Sequence, residues 1–143
     1  MGQLEPGRVR CGRLLALGEP DHAIGCCDQA LTLFEQLGDR EGQAHTWDTL
    51  GLARHSLGHY ADAVDCYQRA LALYRALGDR YEEAGTLSRL GDTHRATGGL
   101  DAARAAWQQA AELLSELHHP DADRVLAKLH PVHARQCEPS GAD

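Results

Sequence analysis

HTWDTLGLARHSLGHYADAVDCYQRALALYRALGDRYEEA, residues 45–84, is one complete copy of a unit that recurs every 40 residues along the chain. Upstream, residues 17–44 (LGEPDHAIGCCDQALTLFEQLGDREGQA) align without gaps on residues 57–84. Ala23 falls under Ala63, Ala30-Leu31 under Ala70-Leu71, and Leu37-Gly38-Asp39-Arg40 under Leu77-Gly78-Asp79-Arg80. Downstream, Gly98, Leu100, Ala103, Trp107, Ala110 and Leu117 take the places of Gly58, Tyr60, Ala63, Tyr67, Ala70 and Leu77. A fixed period of this size marks a stacked repeat, in which each unit buries its apolar face against the next.

Inside each unit the apolar spacing is helical. Ala23, Cys27, Ala30, Leu31 and Phe34 fall at i, i+4, i+7, i+8 and i+11, which lies on one face of a 3.6-residue period and not on a strand's alternation. The same stripe returns as Ala63, Tyr67, Ala70, Leu71 and Tyr74, and again as Ala103, Trp107, Ala110, Ala111 and Leu114. Alanines let a neighbouring helix approach while one ring fills the space between units. Enlarging Ala63 or Ala70 is therefore expected to cost about 1–3 kcal/mol by overpacking, and removing Trp107 roughly 3–5 kcal/mol.

The joins repeat as well. Gly38 and Gly78 suit the left-handed end of a helix, and Asp39 and Asp79 suit the cap of the next. Asp79 and Glu82 have the spacing of a capping box. Tighter turns fall at Gly18, Gly58 and Gly98-Gly99. Helices are thus expected over 20–37, 40–57, 60–77, 80–97 and 100–117, joined so briefly that neighbours must be antiparallel. A degraded first helix is expected over 8–17, and a capping helix over 120–130 with Val125, Leu126 and Leu129 as its apolar stripe. Residues 1–7 and 131–143 read as frayed ends.

Composition narrows the function. With 143 residues there is room for one domain, and three units of 40 occupy most of it. Fourteen basic against 21 acidic residues give a formal charge of −7, which disfavours phosphate backbones and anionic lipid and so argues against nucleic-acid or membrane partners. No signal-peptide pattern or membrane-spanning run occurs, so a cytoplasmic protein is expected. The five cysteines sit in helical contexts and read as reduced thiols. Nine histidines are scattered without metal-ligand spacing, and no nucleophile or phosphate-loop motif is present, so neither an enzyme nor a metal or cofactor site is expected.

Trp47, Leu50 and Gly51 at W-x2-L-G spacing, followed by Gly58, Tyr60, Ala63, Tyr67 and Ala70, resemble the tetratricopeptide repeat (TPR). The third unit agrees with Leu87, Leu90, Gly91, Gly98, Leu100, Ala103, Trp107 and Ala110, and the first agrees in its second helix. The likeness spans about residues 12–117. It departs in its longer period and in having Arg75 and Ser115 where the family has a proline. The long unit with its Leu-Gly-Asp-Arg join is similar to the C-terminal arrays of actinobacterial antibiotic-regulatory transcriptional regulators (the SARP type), and also to the repeats of cell-polarity scaffolds.

What this resemblance implies is an all-α fold, a right-handed α-solenoid of antiparallel helix pairs with a C-terminal capping helix. Its function would be to hold a peptide or protein segment in a concave groove, as the sensing or oligomerising part of a transcriptional regulator. Mapped from the family's groove positions, the lining would be His45, Asp48, Leu52 and His55 in the second unit and Gly85, Ser88, Asp92 and Arg95 in the third. Asp48 and Asp92 oppose the carboxylate-gripping chemistry of some family members, so a basic or neutral peptide is expected. The alternative is a self-associating element, a homodimer formed through Cys27, Leu31 and Phe34 at an incompletely covered first unit.

Overall fold

The computed structural model describes residues 17–137, and these form six helices. They are α1 (Pro20–Leu37), α2 (Arg40–Ser56), α3 (Tyr60–Leu77), α4 (Arg80–Ala96), α5 (Leu100–Glu116) and α6 (Asp121–Cys137). The helix expected over 8–17 lies, but for its last residue, outside the described residues. Each helix packs on its neighbours in sequence, so the chain folds as a row of antiparallel hairpins. The second and third units are α2/α3 and α4/α5, with α1 completing the first unit and α6 closing the far end.

The joins follow the sequence pattern. Gly38 and Gly78 end α1 and α3 at φ 70° and 73°, in the left-handed region open to a residue without Cβ. Asp39 Oδ1 then accepts from the Gly42 N–H at 2.9 Å, and Asp79 Oδ1 from the Glu82 N–H at 3.1 Å. The capping box at Asp79 is only half made, because its own N–H is already given to the Tyr74 carbonyl at 3.0 Å as the α3 terminus closes. At the third join His118 takes the glycine's place, with φ 55° and the same pattern of backbone bonds to Ser115 and Leu114.

One end differs from expectation. The frayed tail was expected from residue 131, but α6 continues to Cys137. Pro131 has no N–H to offer the Ala127 carbonyl, so it removes one rung of the helix without ending it.

The core is built from alanine and aromatic rings. Ala63, Ala70, Ala103 and Ala110 are fully buried, as are Tyr74 and Trp107, and Tyr67 is nearly so. The Leu-Gly pair in the first helix of the second and third units exists for the ring behind it. A Cβ on Gly51 would lie 2.6 Å from the Tyr67 ring, and one on Gly91 would lie 2.5 Å from the Trp107 indole. Only glycine lets the two helices of a unit close on an aromatic that large. Between units the same arrangement recurs once, with the Phe34 ring 2.6 Å from where a Gly42 Cβ would stand.

Helices α2 and α4 touch each other, and they approach more closely than α3 and α5 do. The row therefore curves around its first-helix side, and α2, α4 and α6 form the inner wall.

Candidate functional site

Polar side chains tie the inner wall together across the units. Between α2 and α4, Arg89 Nη1 donates to Asp48 Oδ2 at 2.9 Å, and His55 Nδ1 lies 2.8 Å from Thr93 Oγ1. Between α4 and α6, Lys128 Nζ donates to Ser88 Oγ at 2.7 Å and to both oxygens of Asp92 at 3.0 and 3.1 Å. Tyr81 OH donates to Asp121 Oδ2 at 3.2 Å. A hollow of about 260 Å3 opens between α4 and α6, lined by Tyr81, Glu82, Gly85, Ser88, Arg89, Asp121, Arg124 and Lys128 over Ala84, Leu114 and Val125.

The residues expected in the groove divide accordingly. Gly85 and Ser88 border the hollow. His45 is half-buried, and its Nδ1 lies 2.9 Å from the Tyr74 hydroxyl of α3 behind it. Leu52 is half-buried, and His55 stands edge-on to the Tyr60 ring, 5.1 Å between centroids. Asp92 lies along the wall, with Trp107 Nε1 3.2 Å from the same oxygen that Lys128 reaches. Arg95 is exposed but lies over the Trp107 ring at 5.5 Å.

Asp48 needs a correction, since it is not a surface carboxylate. Only 6% of the residue is exposed, because the seam between α2 and α4 closes over it. Burial pushes its pKa up to about 6, against the pull of the neighbouring Arg89 guanidinium. Its second oxygen, Oδ1, has no hydrogen-bond partner among the described residues, nor does the buried Thr86 Oγ1. The argument for a basic partner falls with this finding. Asp48 and Asp92 are already matched by Arg89 and Lys128.

The residues the sequence reading passed over are those two cations, with Thr93, Tyr81 and Arg124. A signal for them existed. Residues one unit apart face each other in a stack, and Asp48 to Arg89 is a step of 41, Ser88 to Lys128 a step of 40. At the other end, Cys27 is fully buried and Leu31 and Phe34 are half-covered, so the trio expected to mediate self-association is not an open face. The exposed apolar residues there are Leu17, Leu33 and Leu37. Among the described residues, no group of three His, Cys, Asp or Glu side chains could hold a metal ion, and no helix is long and apolar enough to cross a membrane.

The fold is that of a tetratricopeptide-repeat solenoid. Residues 14–76 match the tetratricopeptide repeat family model. Among solved structures, the chain is similar to the TPR domain of Arabidopsis FLU, with 19% identity over 77% of this chain and 92% of that one, and a TM-score of 0.72. It is also similar to the nearly identical TPR-like repeats of a putative kinesin light chain from Podosopora anserina, with 15% identity over 96% of this chain and 79% of that one, and a TM-score of 0.67. At such identities what is shared is the fold. No curated protein sequence matches the chain.

Proposed function

We propose that this chain is a non-catalytic protein-binding module that takes a peptide or protein segment along the inner wall of α2, α4 and α6. The observation that supports this reading is the hollow between α4 and α6. It has an apolar floor at Leu114 and Val125 and a rim of hydrogen-bonding groups, the combination that orients a peptide side chain while excluding water from it. The walls are pre-formed, because Lys128, Ser88 and Asp92 already hold α6 against α4. With Asp48, Asp92 and Asp121 matched by Arg89, Lys128 and Arg124, and Glu82 left without an ion pair among the described residues, the wall favours a segment of neutral or mixed character that lowers one apolar side chain into the hollow. The Leu-Gly-Asp-Arg joins at 37–40 and 77–80 support a place for the module within a transcriptional regulator.

The test is selection of random displayed peptides on the whole chain, with the binding site mapped by amide chemical shifts. Enriched peptides are expected to move Tyr81, Gly85, Ser88 and Arg124, and to lose affinity for Gly85→Leu, which fills the hollow. Enrichment no greater than on an unrelated helical protein, or shifts that avoid these residues, rejects the reading.

A second reading, self-association through the N-terminal end, is supported by the exposure of Leu33 (51%) and Leu37 (68%). Light scattering decides it. A concentration-dependent dimer that Leu33→Asp with Leu37→Asp dissociates is the expected result, and a monomer at all concentrations rules it out.

A further inference from the structure

The Arg89 guanidinium serves two places at once. Its Nη1 donates to Asp48 in the seam between α2 and α4 at 2.9 Å, and the same side chain, about a third exposed, lines the hollow between α4 and α6. A glycine keeps it open on the hollow's side. Where α2 has His45, α4 has Gly85, and a Cβ there would lie 3.3 Å from Arg89 Nη1. Among the described residues, Asp48 is the one carboxylate paired with this guanidinium. Arg124 and Lys128, the other cations of the hollow, have acids of their own in Asp121 and Asp92.

Asp48 is a weak hold on that cation. It is buried, and its Oδ1 has no hydrogen-bond partner among the described residues. The groups that face it are Arg89 and Glu82 of α4, Tyr67 and Tyr74 of α3, and His45 of its own helix. Burial, and then the Asp48 charge, raises both phenols above their ordinary range, so they stay neutral hydroxyls. Glu82 opposes a second negative charge nearby, whereas Arg89, His45 and the Thr86 hydroxyl favour the ionised carboxylate. Burial outweighs them, and Asp48 exchanges its proton at about pH 6. Once it takes up that proton, Arg89 keeps its charge and loses the anion that balanced it.

We infer, resting on the reading that the hollow takes a protein segment, that the segment brings one Asp or Glu side chain to Arg89 and binds together with a proton on Asp48. The two carboxylates compete for one guanidinium. Ionised Asp48 holds it, and protonated Asp48 yields it, so the segment binds more tightly as pH falls. By reciprocity, the bound segment raises the proton affinity of Asp48. Glu82, on the same rim and without an ion pair among the described residues, repels a further acid, so the segment carries a single carboxylate and not an acidic run.

The probe is a library of random displayed peptides, selected on the whole chain separately at about pH 5 and about pH 7.5, on either side of the Asp48 ionisation. Enriched sequences are remade with amidated C-termini, so that side chains carry their only carboxylates, and measured by fluorescence anisotropy at both values. At about pH 5 the peptide's own acids are still largely ionised while most of Asp48 is protonated. The expected result is a class with one Asp or Glu that binds on the order of tenfold more weakly at the higher pH. It should lose affinity when that acid becomes its amide, and with Arg89→Gln. Asp48→Asn, which leaves Arg89 without its anion at any pH, should bind the same peptides equally tightly at both values. Circular dichroism confirms that the variants fold. Peptides that shift the amides of Tyr81, Gly85, Ser88 and Arg124 but carry no acid, bind equally at both pH values, or keep their pH dependence in Asp48→Asn overturn this inference and leave the hollow standing as a binding site. If no peptide shifts those residues at either pH, the inference falls together with the reading it rests on.

Discussion

Arg89 holds Asp48 at 2.9 Å across the seam between α2 and α4, yet the carboxylate it holds is buried and half unsatisfied. Burial outweighs the guanidinium, and the Asp48 pKa rises from 3.8 to about 6. The folded protein therefore binds that proton more tightly than the unfolded chain does. Stability contributed by this group grows as pH falls from about 6 toward 3.8, and is lost as pH rises back through the same window. The full effect is about 2–3 kcal/mol. Asp48→Asn keeps the shape without the charge and leaves Arg89, a third exposed, to solvent. Denaturant unfolding of both proteins across that range is expected to show the variant gaining on wild type as pH rises. Parallel curves would mean that Asp48 ionises as it would in water.

Lys128 gives α6 a polar attachment to α4, through Ser88 and Asp92, beside the bond from Tyr81 to Asp121. Both charged side chains are about a third exposed, so solvent screens the pair. Lys128→Ala is expected to cost only about 0.5–1 kcal/mol overall. The loss should be local, since α6 is the last of the described helices and packs on α5 alone among its sequence neighbours. Amide exchange is the discriminating measurement: α6 should lose protection while α2 and α3 keep theirs. Uniform loss across the chain would show that the lysine supports the whole array.

Gly91→Ala puts a methyl 2.5 Å from the Trp107 indole, where the nearest atoms belong to a rigid ring that is itself fully buried. The ring cannot swing away, so the cost is expected to be about 1–3 kcal/mol, even though alanine is the better helix former. Combining it with Trp107→Leu separates clash from propensity. In that background Gly91→Ala should become nearly neutral or stabilising, a coupling that a double-mutant cycle reads directly. Additive losses would show that the glycine is not there to admit the ring.

Much of this fold was legible in the chain because the same instructions are written several times. Trp47-x2-Leu50-Gly51 and Leu87-x2-Leu90-Gly91 each announce a helix that must close on a ring, and the Leu-Gly-Asp joins placed helix ends to within a residue. The inner wall was harder to read. Asp48 looks like any surface aspartate on a polar helix face. Its burial depends on how far α4 leans over α2, a property of the stack that no single helix's pattern contains. The continuation of α6 past Pro131 was missed for a related reason, because local propensity at a proline argues for an end.

His118 is the remaining place where the repeat breaks its own rule. Gly38 and Gly78 occupy the left-handed position after their helices, and His118, one unit on, holds φ 55° there with a Cβ. Its N–H bonds the Ser115 carbonyl and that of His119 bonds Leu114, as Gly38 and Asp39 bond Glu35 and Phe34, so the geometry is imposed by the join and the side chain does not cause it. A β-carbon in this region costs about 1–2 kcal/mol, of which the greater freedom of glycine in the unfolded chain returns roughly half. His118 is exposed, so removing its ring sacrifices little packing. His118→Gly is therefore expected to stabilise the protein by about 0.5–1 kcal/mol, raising the midpoint of thermal unfolding by a few degrees. His118→Ala is the control. It keeps the Cβ and loses the ring, and should leave stability unchanged or slightly lower. If the alanine protein gained as much as the glycine protein, the strain would lie in the imidazole and not in the backbone.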